Sequence, residues 1–165
     1  MDLKPGNVLV DDQENAIVID WEQCGASPFF LAPEANGMWD AEYSQGENGG
    51  LKLLYKKHFG PMEGQGRLPK RDVFRIWQQN CPRALEAAEV YSLGRTLWAI
   101  LQQISEEVSD RNHLDHEPIV WSPLSVDIPT HWKLFISSCT IIDPNERPRF
   151  QEAVTFWEDE LGLLK

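Results

Sequence analysis

The sequence predicts a mainly helical α+β domain that opens with a short β-hairpin. Apolar residues recur at helical spacing in three stretches of the C-terminal half, and two short apolar runs flank a polar turn close to the N-terminus. The length of 165 residues suits a single domain over residues 1–165, which buries about 70% of the surface its unfolded chain exposes.

Taken in order, Val8, Leu9 and Val10 form the first strand of the hairpin and residues 16–19 the second, with the polar residues 11–15 as the turn. Residues 35–88 read as an insertion, partly flexible, because glycine, serine and asparagine crowd residues 44–50 and glycines recur over 60–66. Two pieces within it carry helical periodicity: Leu51, Leu54, Tyr55 and Phe59, then Val73, Phe74 and Trp77. Val90, Leu93, Gly94, Leu97, Trp98, Leu101 and Ile104 mark a long helix in which Gly94 allows a close approach. Trp132, Phe135, Ile136 and Cys139 mark a second helix after Pro129, and Phe150, Ala153, Val154, Trp157 and Leu161 a third after Pro148. These aromatic stripes read as core.

Composition narrows the function classes. A net charge of −11 argues against a nucleic-acid or anionic-membrane surface, both of which need a basic face. Within the acidic chain, Lys52, Lys56, Lys57, His58, Arg67, Lys70, Arg71 and Arg75 make one locally basic region, which reads as a solvated face or a contact for a protein partner or phosphates. Cys24, Cys81 and Cys139 form no CxxC pair and are odd in number, as expected of reduced thiols in an intracellular, cytoplasmic or nuclear protein. No signal peptide or membrane span is expected. His113 and His116, beside Asp110 and Asp115, lie in a polar stretch without helical pattern and read as a solvated loop, not a metal site.

Asp2, Lys4, Asn7 and Asp20 are the candidate site. Phosphoryl transfer needs a carboxylate to orient the attacking hydroxyl and hard oxygen ligands for Mg²⁺. Asp2 suits the base, Lys4 offsets charge on the moving phosphoryl, and Asn7 with Asp20 ligate metal once the hairpin brings them together.

Five stretches give the chain a resemblance to the protein kinase superfamily. DLKPGN at residues 2–7 resembles the catalytic loop, with Lys4 the serine/threonine-type choice, and Asp20 of IDWE matches the metal-binding Asp of DFG. GASPFFLAPE at residues 25–34 resembles the substrate loop ending in APE, with Ser27 where a hydroxyl bridges the catalytic Asp and Lys. VYSLGRTL at residues 90–97 is similar to a C-lobe helix motif, and DPNERP at residues 143–148 to the late DPxxRP motif. The resemblance implies a kinase C-lobe with the 90–104 helix buried at its centre and a structural ion pair between Glu34 and Arg147. It implies Asp2 and Lys4 as catalytic residues, Asn7, Leu9 and Asp20 as cofactor contacts, and ATP with Mg as cofactors.

The departures shape the expected activity. Met1 stands where the motif has Arg, so regulation by loop phosphorylation is not expected, and Trp21 and Glu22 replace the Phe and Gly of DFG. The family's Gly-rich loop, ATP-gripping Lys and helix Glu would precede residue 1, so the expectation is a truncated kinase whose isolated chain is weakly active or inactive. Two rivals stand beside protein Ser/Thr phosphorylation. One is a catalytically dead, kinase-derived binding or scaffold protein. The other is a small-molecule phosphotransferase of the aminoglycoside or choline kinase type, whose IDWE signature residues 19–22 match better than DFG.

Overall fold

The computed structural model describes residues 3–20, 29–46, 49–58, 70–104 and 117–163. They form four helices and two separate antiparallel hairpins, an α+β arrangement.

Strands β1 (Val8–Val10) and β2 (Ala16–Val18) pair with Val8 opposite Val18, Leu9 opposite Ile17 and Val10 opposite Ala16. The turn closes on Asp11, whose Oδ1 accepts from the Gln13 and Asn15 amides, each at 2.8 Å, while Glu14 takes the left-handed conformation at φ 64°. Preceding the hairpin, Pro5–Asn7 form a single 3-10 turn, begun by a proline whose fixed φ suits it. Leu3 and Asn7 are buried beneath that turn, whereas Leu9, Val10 and Ile17 remain exposed.

The second hairpin joins β3 (Trp39–Gln45) to β4 (Leu51–Lys57), with Trp39 opposite Lys57 and Gln45 opposite Leu51. Gly49 supplies the positive φ of 75° that the connection requires. Sequence periodicity predicted a helix at Leu51, Leu54 and Tyr55, and the structure corrects it to β4; Phe59 lies outside the described residues. The stretch LKLLYKK satisfies both periods, but period two wins because Leu53 enters the core and Tyr55 packs against it while Leu54 faces outward. Asn145 ties this hairpin to the C-terminal half: its Oδ1 accepts from Leu53 N at 2.8 Å and its Nδ2 donates to Leu53 O at 3.3 Å.

Helix α1 (Lys70–Asn80) carries Val73, Phe74 and Trp77 inward, as their spacing predicts. Cys81 then breaks the helix with φ −149°, and Pro82 opens α2 (Pro82–Leu101). The predicted 90–104 helix is therefore longer at its start, and Ile104 lies just beyond its end. Helix α2 touches α1, α3 (Thr130–Cys139), α4 (Phe150–Leu163) and the turn at Pro5–Asn7. Such encirclement explains why Ala84, Ala87 and Ala88 are fully buried beside Val90 and Tyr91: small side chains let neighbours close in on every face. Gly94 is the tightest point, because a Cβ there would stand 2.7 Å from Cys139 Cβ and 2.8 Å from Thr140 Cγ2.

One core gathers Leu31, Ala35, Leu53, Trp77, Cys81 and Tyr91 between the second hairpin, α1 and α2. On the far side, α3 and α4 pack through aromatic rings, with Phe135 stacked on Phe156 at 4.0 Å and Trp132 edge-on to Trp157 at 5.2 Å. The α4 face is thus shifted from its predicted stripe: Phe156 turns inward, and Phe150 and Leu161 are exposed. Cys81 and Cys139 are free and buried, and Cys24 lies outside the described residues. Among the described residues, no helix is long and apolar enough to cross a membrane.

Candidate functional site

The 3-10 turn and the first hairpin place the predicted site residues. The single hydroxyl proton of Thr96 in α2 is shared between Leu3 O at 3.0 Å and Ser92 O at 2.8 Å, which ties the chain ahead of the turn to the central helix. Asn7 N donates to Lys4 O at 3.0 Å and closes the turn, leaving Lys4 half-buried and Asn7 buried. The hairpin ladder continues past β1 and β2, because Ile19 N donates to Asn7 O at 2.9 Å. Asn7 and Asp20 therefore sit at the same end of one hairpin. Asp20 is exposed and holds φ 54°, a left-handed conformation that Asp tolerates better than most residues. Leu9 is half-exposed on the same hairpin. Asp2 and Ser27, together with Trp21, Glu22 and the 110–116 histidine stretch, lie outside the described residues.

This donor set fits a hard divalent cation in part. An amide oxygen from Asn7 and a carboxylate from Asp20 are both hard oxygens, and Mg²⁺ is commonly held by one or two protein ligands with water and phosphate completing the octahedron. Among the described residues no group of three or more His, Cys, Asp or Glu converges on one point, so a cage made wholly of protein ligands is not what they form.

A second polar centre lies in the core. Arg147 has a fully buried side chain, and each of its five N–H groups has an acceptor. Nη1 donates to Glu34 Oε1 at 2.6 Å and Ala87 O at 3.0 Å. Nη2 donates to Glu34 Oε2 at 3.0 Å and Ile142 O at 3.2 Å, and Nε to Ile141 O at 2.7 Å. The Tyr91 ring lies 4.8 Å beneath the guanidinium. One side chain thus joins the 3-10 turn Pro33–Ala35, helix α2 and the loop before α4, and the Glu34 to Arg147 pair implied at the sequence level is present. Burial raises the pKa of Tyr91 above the usual phenol value and that of Tyr55 far above it, with Glu34 also opposing the Tyr55 anion.

Arg95 is the centre that periodicity missed. It interrupts an apolar helix stripe, yet it is buried. Its Nε donates to Phe29 O and its Nη1 to Glu117 O, both at 2.9 Å, with its Cζ 4.2 Å from the Phe29 ring centroid. A lone Arg among Tyr91, Leu97 and Trp98 is the signal that marks such a position, because a guanidinium can stack on aromatic rings while it satisfies carbonyls.

Comparison with protein-family models, with curated proteins and with solved structures finds no match for this chain.

Proposed function

We propose that this chain is the metal-and-base half of a protein-kinase-like phosphotransferase, acting on protein Ser/Thr hydroxyls. The observation that supports the proposal is the Ile19 N to Asn7 O bond, which puts the backbones of Asn7 and Asp20 at one hairpin end. The Thr96 tether to Leu3 O adds support, because it fixes the backbone next to Asp2 on the central helix. The Glu34 to Arg147 clasp favours the protein-kinase reading over the small-molecule one, since it joins APE-like and DPxxRP-like motifs 113 residues apart.

In this reading MgATP, when bound, supplies the phosphoryl group and neutralises its charge. Asp2 orients the substrate hydroxyl and accepts its proton. Lys4 stands two residues on and offers positive charge to the phosphoryl oxygens. Asn7 and Asp20 hold the metal position, and Leu9 offers an apolar surface beside it. A positioned base alone contributes roughly 10² to 10⁴-fold. The 165 residues contain no match to a Gly-rich phosphate loop, so slow turnover is expected of them alone.

The test pairs a melting curve in MgATP with a radiolabel-transfer assay on a Ser/Thr protein substrate. A MgATP-dependent rise in melting temperature that Asp20→Ala removes, with slow transfer that Asp2→Ala removes, supports the proposal. No rise at all favours a catalytically dead scaffold. Transfer to an aminoglycoside or choline, and none to protein, favours the small-molecule rival.

A further inference from the structure

The second hairpin and the start of α2 meet the loop before α4 at a pocket of about 200 Å³, lined by Tyr43, Leu51, Leu53, Arg83, Asn145 and Arg149. Two arginines and no acidic residue line it, in a chain whose net charge is −11. The Arg83 side chain is only 10% exposed. Its Nη2 donates to Arg147 O at 3.0 Å, but its buried Nη1 has no hydrogen-bond acceptor, standing 3.4 Å from Glu86 Oε1 without hydrogen-bond geometry.

Glu86 is the nearby carboxylate, and it is shared. Its Oε1 accepts from Phe150 N at 2.7 Å and its Oε2 from Arg149 Nη1 at 3.1 Å, so one negative charge faces two guanidiniums. Burial weakens Arg83's hold on its proton, and the neighbouring Arg149 charge acts in the same direction against Glu86. Tyr43 accepts from Arg83 N at 3.3 Å through its hydroxyl oxygen, which leaves the hydroxyl proton to donate. Arg83 is also the second residue of α2, so the positive end of a 20-residue helix dipole faces the same place.

The geometry points to an oxoanion site: this pocket takes a phosphate group, held between the Arg83 and Arg149 guanidiniums with the Tyr43 hydroxyl as a further donor. Guanidinium forks match tetrahedral oxoanions through paired N–H bonds, and Arg149, with a side chain 56% exposed, gives the group an open approach. Asn145 lines the pocket without joining in, because its amide is engaged with Leu53 and Asp143. This site is separate from the Asn7 and Asp20 hairpin end and does not depend on phosphoryl transfer.

The test titrates the full chain with inorganic phosphate at constant ionic strength, set by chloride, and follows arginine side-chain and backbone amide signals by NMR. Saturable shifts at Tyr43, Arg83 and Arg149 are expected, with binding about tenfold weaker or more in Arg149→Gln, since each lost hydrogen bond to a charged group is worth at least that factor. Arg149 is largely exposed, so this variant should keep the wild-type melting temperature; Tyr43→Phe is the second variant and should weaken binding by less. O-phosphoserine in place of phosphate separates the two sources. Tighter binding assigns the site to a phosphorylated side chain, and equal or weaker binding to free phosphate. Shifts no larger than chloride alone produces, or saturable binding unchanged in Arg149→Gln, would overturn the proposal.

Discussion

Removing Glu34 is the sharpest perturbation the core offers. In Glu34→Ala two N–H groups of Arg147, one on Nη1 and one on Nη2, lose their acceptors, while Nε and the remaining Nη hydrogens keep Ile141, Ala87 and Ile142. The guanidinium then stays fully buried with no counter-charge, and breaking one side of such a pair costs about 3–5 kcal/mol. That is a large share of the ~5–15 kcal/mol typical of a domain. Arg147→Met costs a similar amount for a different reason, since three backbone carbonyls and a buried carboxylate lose their donor. The double variant should therefore fall short of the sum of the singles, with a coupling of roughly 2–3 kcal/mol. Urea unfolding followed by tryptophan fluorescence measures all three, because Trp77 lies in the core next to the clasp region. A Glu34→Ala loss below about 1 kcal/mol, the level of an exposed pair, would refute the reasoning.

Three further outcomes follow from single contacts. Gly94→Ala gains roughly 1 kcal/mol of helix propensity but drives a Cβ to 2.7 Å from Cys139 Cβ, so it should lower the urea midpoint, whereas Gly162→Ala, with nothing within 4 Å, should raise it slightly. Asn145→Ala removes both bonds to Leu53 and should speed hydrogen exchange at the Leu53 amide well before α2 amides respond. Asp143 is pulled up by partial burial but more strongly down by the Asn145 amides, Lys52 and Arg147, so its folded value lies below the ordinary 3.8. Its contribution is present above that value and disappears as the pH falls through the folded one, so Asp143→Asn should flatten the loss of stability measured between pH 5 and pH 2.

The helices were legible because their apolar spacing is long and regular, as at Val73, Phe74 and Trp77 or Ile136 and Cys139. The first hairpin was legible because two apolar runs bracket a turn that Asp11 can cap with its own side chain. Strand β4 was not, since LKLLYKK fits either period and only pairing with β3 decides between them. Arg95 and Arg83 were illegible for a related reason. A charged side chain reads as solvent-facing until the structure shows aromatic rings and carbonyls around it, and these come from residues far away in sequence. Asn7 and Asp20 share a hairpin end as their spacing predicts, whereas Asp2 and Ser27 rest on the resemblance alone.

The proposed metal ligands Asn7 and Asp20 are tested most directly by substoichiometric Mn²⁺, through paramagnetic broadening of backbone amides. If they hold the ion, Asn7, Ile19 and Asp20 broaden first and Asp20→Ala spares them. Broadening spread evenly over a chain with 26 acidic residues, or unchanged in Asp20→Ala, would rule the pair out.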